Sequence, residues 1–176
     1  MKLNLSLIDT EPLAFDETLT LPADRLDEDQ VAGDVAVRLA GTARRVGGRY
    51  RLDGRIEADA ALACARCLEP VPWRLEDSFA AEYRVAAEDP GEGDFAIPED
   101  ELDVSFLQGP ELDLADLAAE QVVLGLPMRI VCDESCAGLC PRCGANRNIE
   151  GACPCEAEAD PRWQTLRDLA DRGDSN

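Results

Sequence analysis

The chain has 176 residues, enough for one domain with a small appended module, and 37 acidic against 17 basic residues give it a formal net charge of −20. A field of this sign repels phosphate backbones, so tight direct binding of RNA or DNA is not the default expectation, and a basic protein partner suits the surface better. The chain has no histidine, which is the commonest general base, so we expect no enzyme and no small-molecule substrate.

The first residues, MKLNLSLIDT, lack the apolar stretch of a secretory signal, and no run approaches the roughly 18 apolar residues of a membrane-spanning helix. We therefore expect a soluble cytoplasmic protein with no membrane partner. Stable disulfides are rare in that reducing compartment, where cysteines at short spacings more often bind metal.

Alternating apolar and polar residues predict β-strands along the first half of the chain. In residues 50–64 the apolar side chains share one parity and the charged side chains take the other, and residues 73–85 repeat the pattern. Gly47 and Gly48 give a two-residue hairpin signal before these segments. The predicted strands are residues 2–8, 13–20, 34–46, 50–64 and 73–85. Their order favours an antiparallel sheet, barrel-like if it curls far enough, in a fold of the α+β class.

An acidic segment follows the predicted sheet. Residues 86–101 contain seven acidic residues, no basic ones and two prolines, which predicts a solvated loop. The alternative is a dock for a basic partner or a mimic of nucleic-acid charge. Composition leaves both interpretations open.

A helix is predicted at residues 113–125. Asp113 can cap it, apolar residues follow at helical spacing, and Gly125 and Pro127 end it. This helix should pack on the sheet.

A second helix is predicted near the C-terminus, where Asp160 can serve as the cap and Pro161 takes the first helical position. We accordingly divide the chain into a sheet domain, residues 1–131, and a cysteine-rich zinc-binding module, residues 132–176, that ends in this helix.

Eight cysteines supply two sets of four ligands, the number that a tetrahedral structural zinc site requires. The spacings favour one long-range set, which would tie the tip of the sheet to the segment after the helix, and one local set. The long-range set is Cys64, Cys67, Cys132 and Cys136; the local set is Cys140, Cys143, Cys153 and Cys155.

The cofactor expected from these cysteines is structural zinc, one or two ions. The alternatives are a thiol–disulfide redox role, an iron–sulfur cluster, or cysteines without a ligand. Redox pairs usually open a helix in a thioredoxin-like setting, and neither Cys-x-x-Cys pair here precedes a helical pattern. Spacing does not prove the grouping, and exchange of ligands between the neighbouring Cys136 and Cys140 is conceivable.

The predicted hairpin at residues 44–55 departs from the general acidity, because it contains five arginines but a single acid, Asp53, with Tyr50 among them. These arginines are candidates for contact with RNA or a partner, as is Arg66 between two ligand cysteines. The alternative is that they lie on the solvent face and pair with nearby acidic side chains. The hairpin arginines are Arg44, Arg45, Arg49, Arg51 and Arg55.

Several motifs occur together in one order across positions 60 to 170. A Cys-x-Arg-Cys-Leu-x-Pro segment precedes a helix ending in Leu-x-Leu-Pro, and CxxxCxGLCPxCGxNxN, a late CxC and DPR follow. The combination resembles the bacterial YceD family. Where family members carry leucine in the GxNLN segment, this chain has Arg147.

The resemblance implies a role in the accumulation of large-subunit ribosomal RNA, and hence in ribosome biogenesis, for a small non-enzymatic protein. It also implies metal binding at all eight cysteines. We expect an assembly factor that holds or delivers a basic ribosomal protein, or that protects a large-subunit assembly intermediate with such a partner, so that contact with rRNA is indirect. The alternatives are direct RNA binding, through the hairpin and through Arg66, Arg142 and Arg147, and a redox-sensitive zinc switch.

Overall fold

The computed structural model describes residues 2–9, 11–85, 103–151, 153–155 and 162. The acidic segment predicted at 86–101 lies outside this part of the chain. So does the helix predicted from Asp160, apart from the single residue Arg162.

A five-stranded sheet forms most of the described structure. Its spatial order follows the chain, and the first four strands form an antiparallel meander, whereas the fifth runs parallel to the fourth. The sheet curls into a half-barrel. The strands are β2 (Leu13–Leu21), β3 (Val35–Val46), β4 (Arg49–Ala63), β5 (Pro70–Val85) and β6 (Val104–Leu107). The predicted antiparallel sheet is confirmed for the meander, but the parallel fifth strand was not predicted.

A small second sheet pairs β1 (Lys2–Asn4) with β7 (Glu111–Asp113), antiparallel. The prediction of a strand over residues 2–8 is wrong beyond Asn4, because Leu5–Leu7 form a 3-10 turn. The Asn4 side chain caps this turn by accepting a hydrogen bond of 3.0 Å from the Ser6 amide. The turn directs the Leu5 side chain into the core, where it is fully buried.

Two helices accompany the sheets in the described part of the chain. The one-turn helix α1 (Ala23–Leu26) was not predicted, whereas α2 (Leu114–Gly125) confirms the predicted helix and its cap, since the Asp113 carboxylate accepts from the Ala115 amide at 2.9 Å. Arg25 of α1 donates to Asp116 of α2 at 2.6 Å. Within the described residues, neither helix has the length and apolarity needed to cross a membrane.

The core lies between the inner face of the curled sheet and α2. The predicted parity of the strands is confirmed, because Leu52 and Ile56 of β4 and Phe79 and Tyr83 of β5 are all buried. The helix contributes a buried face to the same cluster. Its buried residues are Leu114, Leu117, Ala118, Ala119 and Val122.

Two glycines face each other across the centre of the sheet, Gly41 on β3 and Gly54 on β4. A Cβ atom on Gly54 would lie 2.6 Å from the Ala40 carbonyl oxygen and 2.7 Å from the Phe79 ring. A Cβ atom on Gly41 would similarly come within 2.9 Å of the Phe15 ring. Aromatic rings therefore occupy the space above both glycines, at a point where a strand can bend sharply.

We expect Gly54→Ala to lower the free energy of unfolding by about 2 kcal/mol or more, because the methyl group would overlap rigid backbone and a packed ring. Gly109→Ala is the matched control, since nothing beyond its chain neighbours lies within 4 Å of the position that its Cβ atom would take. Its effect should stay within about 0.5 kcal/mol. Urea unfolding curves measure both, and equal midpoints for the two variants would contradict the packing argument.

Candidate metal centres

The eight cysteines form two clusters, each with four sulfur atoms within 4.8 Å of one another. The clusters are the same two sets that the spacing suggested, and both could hold a metal ion. The first centre consists of Cys64, Cys67, Cys132 and Cys136, and the second centre consists of Cys140, Cys143, Cys153 and Cys155.

The first half of the first centre lies at the tip of the sheet, where β4 ends. The Leu68 amide donates to the Cys64 carbonyl at 2.9 Å, and the Cys64 amide donates to the Glu69 carbonyl at 2.9 Å, which closes a tight turn. Leu68 has a φ of 62°, a left-handed conformation that is uncommon for a non-glycine residue. The turn places the Cys64 and Cys67 side chains on the same side, and both are buried.

The second half comes from the segment after α2. The Ala65 amide donates to the Ile130 carbonyl at 2.9 Å, which aligns this segment with the sheet tip. Arg66 then extends its guanidinium across the segment and donates to the carbonyls of Glu134, at 2.8 Å, and Cys136, at 2.9 Å. Arg66 was predicted as a contact for RNA or a partner, and its described interactions hold the cysteine-bearing segment in place.

The sulfur positions of the first centre fit a tetrahedral metal ion. The Sγ atoms of Cys64 and Cys136 are 3.9 Å apart, and those of Cys67 and Cys132 are 3.6 Å apart. Zinc–sulfur bonds of about 2.3 Å in a tetrahedron place neighbouring sulfurs about 3.8 Å apart. The donor set is therefore of the right type, number and spacing for structural zinc.

Hydrogen bonds around Cys64 favour a thiolate. Burial opposes its ionisation, but the amides of Cys132 and Arg66, at 3.3 and 3.5 Å from its sulfur, help to lower the pKa of Cys64 to about 6. Its neighbour behaves oppositely, because hydrogen bonds with the thiols of Cys136 and Cys67 raise the pKa of Cys132 to about 12. Four thiolates at this spacing repel one another, so full ionisation requires a bound cation.

The second centre is local in sequence and more exposed than the first. A turn closed by the Gly144 amide and the Cys140 carbonyl, 2.9 Å apart, presents Cys140 and Cys143, and Gly144 adopts the left-handed φ of 73°. Backbone amides of Cys143 and Arg142 lower the pKa of Cys140 to about 5. The sulfurs of Cys140 and Cys153 are 3.2 Å apart. Only Cys140 of this set is buried.

Two asparagines between the ligand pairs of the second centre connect it to the first. The Asn148 side-chain amide donates to the Cys136 sulfur at 3.2 Å, and its oxygen accepts from the Ala137 amide at 2.7 Å. Asn146 is 8% exposed and donates to the Glu69 carboxylate at 3.3 Å. Neither was predicted as a site residue, although the alternating Asn-x-Asn between two cysteine pairs was a visible signal.

The hairpin arginines lie far along the sheet from the cysteines, around the β3–β4 turn, and three of them are within ion-pairing distance of acidic side chains. Arg44 is 3.1 Å from Asp53, and Arg51 is 3.0 Å from the same carboxylate. Glu82 on the adjacent β5 adds a second acid, 3.5 Å from Arg51 and 3.7 Å from Arg49.

Of the other two hairpin arginines, Arg45 lies over the Tyr50 ring at 6.0 Å, and Arg55 lies farther along β4, opposite Ala40 and Ser78. β4 separates the β3–β4 turn from Arg66, which follows the far end of that strand. A contact role for the hairpin arginines and Arg66 stays a prediction. The division of the chain between residues 131 and 132 stays a prediction as well.

The chain is similar to proteins of one known family. The sequence profile of the family described as "Large ribosomal RNA subunit accumulation protein YceD" matches residues 52–170. A Zea mays protein named large ribosomal RNA subunit accumulation protein YCED homolog 1, chloroplastic, is 29% identical over 147 residues, covering 69% of this chain and 48% of that protein.

Mycobacterial proteins are also similar. An uncharacterized protein of Mycobacterium bovis is 34% identical over 116 residues, covering 66% of this chain and 53% of its own length, and one of Mycobacterium leprae is 27% identical over 120 residues, with coverages of 66% and 51%. The chain thus spans about half the length of the curated relatives it matches. No solved structure matches it.

Proposed function

The chain belongs to the YceD family, and from this premise we propose that it promotes the accumulation of large-subunit ribosomal RNA as a non-enzymatic assembly factor in the cytoplasm. In this proposal each four-cysteine centre holds one structural zinc ion. The family match over residues 52–170 carries the ribosomal role, and the two clusters of sulfur atoms within 4.8 Å support the metal.

The role proposed for zinc is structural. Four thiolates complete a tetrahedral shell and leave no open position for a substrate or an activated water, unlike catalytic zinc sites. The first centre would fasten the sheet tip to the segment after α2, and the second would fasten residues 140–155, where Cys140 is the only buried ligand. The chain supplies no histidine as a general base, which agrees with a non-enzymatic role.

The partner proposed is a basic ribosomal protein rather than bare RNA. The net charge of −20 favours association with a basic surface and opposes association with phosphates. The ion pairs of Arg44, Arg49 and Arg51 with Asp53 and Glu82 reduce the positive field of the one arginine-rich hairpin. Direct RNA binding through that hairpin would first have to break these pairs.

Depletion of the protein from its cells tests the ribosomal role. We expect the ratio of large-subunit to small-subunit ribosomal RNA to fall, and wild-type protein to restore it. A variant with Cys136→Ser, which removes a buried ligand of the first centre, should not restore it at equal protein level. An unchanged ratio after depletion would contradict the proposed function.

Affinity capture of the full chain distinguishes a protein partner from RNA. We expect capture of a basic protein that survives nuclease treatment and is lost as salt concentration rises, because the attraction is electrostatic. Recovery of ribosomal RNA after all proteins are stripped, with steep salt dependence, would favour direct RNA binding instead. In that case Arg49→Glu with Arg51→Glu should abolish the capture.

A further inference from the structure

We propose that the two centres bind metal cooperatively and that the Asn148 side chain carries the coupling between them. The inference rests on the proposed function, since it takes both centres to hold metal. Asn148 would then be a positioning residue, and the metal affinity of each centre would depend on metal at the other.

The coupling begins with the position of Asn148 in the chain. It lies between the Cys140–Cys143 pair and the Cys153–Cys155 pair, so a metal ion at the second centre closes the loop that contains it. From that loop its side-chain amide donates to the Cys136 sulfur of the first centre at 3.2 Å. One residue held by the second centre thus contacts a ligand of the first.

The remaining contacts fix the orientation of this amide. The Asn148 oxygen accepts from the Ala137 amide at 2.7 Å, and its nitrogen also donates to the Asn146 oxygen at 3.0 Å. Asn146 in turn donates to Glu69, two residues beyond Cys67. The loop of the second centre is therefore joined to both halves of the first.

Backbone contacts hold the residues just before the loop against the sheet tip. The Leu139 amide donates to the Arg66 carbonyl at 3.0 Å, and a Cβ atom on Gly138, whose φ is 73°, would lie 2.9 Å from that carbonyl oxygen. Close approach of residue 138 to the sheet tip thus requires glycine. Ordering the loop by metal would present Asn148 to Cys136 in one geometry.

The expected size of the coupling follows from the chemistry of metal ligands. A hydrogen bond to a ligand sulfur stabilises the thiolate, and loss of such an outer partner typically lowers metal affinity by about 10- to 100-fold. Linkage makes the effect reciprocal, so each loaded centre should raise the affinity of the other by the same factor.

Competition between the full chain and a chelator for Zn²⁺ tests the proposal. Protection of Cys67 and Cys132 from alkylation, read by peptide mass spectrometry, reports the first centre alone. We expect Cys143→Ser with Cys155→Ser, which removes the second centre, to lower the chelator concentration that strips the first centre by about 10- to 100-fold.

Asn148→Asp isolates the proposed path. The substitution keeps the oxygen that accepts from Ala137 and removes the nitrogen that donates to Cys136. In this background, removal of the second centre should no longer lower the chelator concentration that strips the first centre, because the carboxylate oxygen that replaces the donor nitrogen repels the Cys136 thiolate. Asn4→Asp is the matched control, because this substitution adds the same charge at the other end of the chain, where Asn4 contacts Ser6.

Each outcome of the chelator competition supports or overturns the proposed coupling. Equal shifts in the wild-type and Asn148→Asp backgrounds would overturn the role of Asn148, and no shift in either would show independent centres. Native mass spectrometry counts the bound ions. A chain without metal would overturn the zinc centres of the proposed function together with this inference, whereas the depletion experiment tests the ribosomal role separately. If Asn148→Asp does not fold, as judged by circular dichroism, Asn148→Ala replaces it in the same cycle.

Discussion

Replacing Cys64 with serine is expected to remove one of two zinc ions and to lower the free energy of unfolding by about 5 kcal/mol or more. Structural zinc contributes on the order of 10 kcal/mol to small modules, which is comparable to the whole stability of a typical domain. The Cys64 sulfur is fully buried and receives amide hydrogen bonds from Cys132 and Arg66. Its loss leaves these donors facing a neutral hydroxyl group in place of a thiolate in a closed site.

Cys143→Ser in the exposed second centre is the matched comparison, because it also removes one ion but no buried ligand. Its cost to unfolding of the sheet and the first centre should be about 1–3 kcal/mol, the free-energy equivalent of a 10- to 100-fold weaker first centre. The free energy lost with the second ion itself falls on the local segment of residues 140–155 that this ion fastens. Native mass spectrometry counts the ions, and urea unfolding at fixed free zinc gives the free energies. Equal destabilisation by the two variants would contradict the difference in structural role.

Lowering the pH is the second change expected to have a large effect on zinc binding. Lowering the pH from about 7.5 to about 6.5 should weaken zinc binding at the first centre by about 100- to 1,000-fold, because two to three thiols give up protons on binding. The number is below four because the pKa of Cys64 is already lowered to about 6 and that of Cys136 is also lowered from 9.0. Cys132, with its pKa raised to about 12, must be deprotonated by the metal.

The sign of the effect on folding agrees with its sign on metal binding. A thiol with a lowered pKa stabilises the fold fully above its unfolded value of about 9 and loses this contribution as the pH falls through about 6. Calorimetry in buffers of different ionisation enthalpy counts the protons released per ion. Release of four protons at pH 7.5 would show that Cys64 is protonated before metal binds.

Local pattern predicted the elements whose formation depends on nearby residues. The parity of 50–64 and 73–85 identified the buried face of two strands, because half-buried sheets expose alternate side chains. The Asp113 cap predicted the start of α2 to within one residue. The cysteine spacing also suggested the two sets of sulfurs that the fold brings together, since tetrahedral coordination limits the economical groupings.

Features that depend on distant partners were not visible in the local pattern. β6 is only four residues long, and it pairs in parallel with a strand that ends at Val85, well before it in the chain. Glu82 faces the hairpin arginines only through the β4–β5 register, in which it lies opposite Arg51. Asn148 contacts Cys136 because a folded loop turns back on the sheet tip.

The separation in sequence between the ligands of the first centre also determines how long after Cys64 the last ligand is synthesised. Cys64 and Cys136 are separated by 72 positions, which a ribosome adding about 5–20 residues per second takes about 4–14 seconds to translate. During that interval the β3–β4 hairpin, closed by a two-residue turn, can form from local contacts alone. Cys64 and Cys67 then supply only two of the four ligands of the first centre. Stable metal capture at this centre therefore marks a nascent chain whose sheet and α2 have both been made.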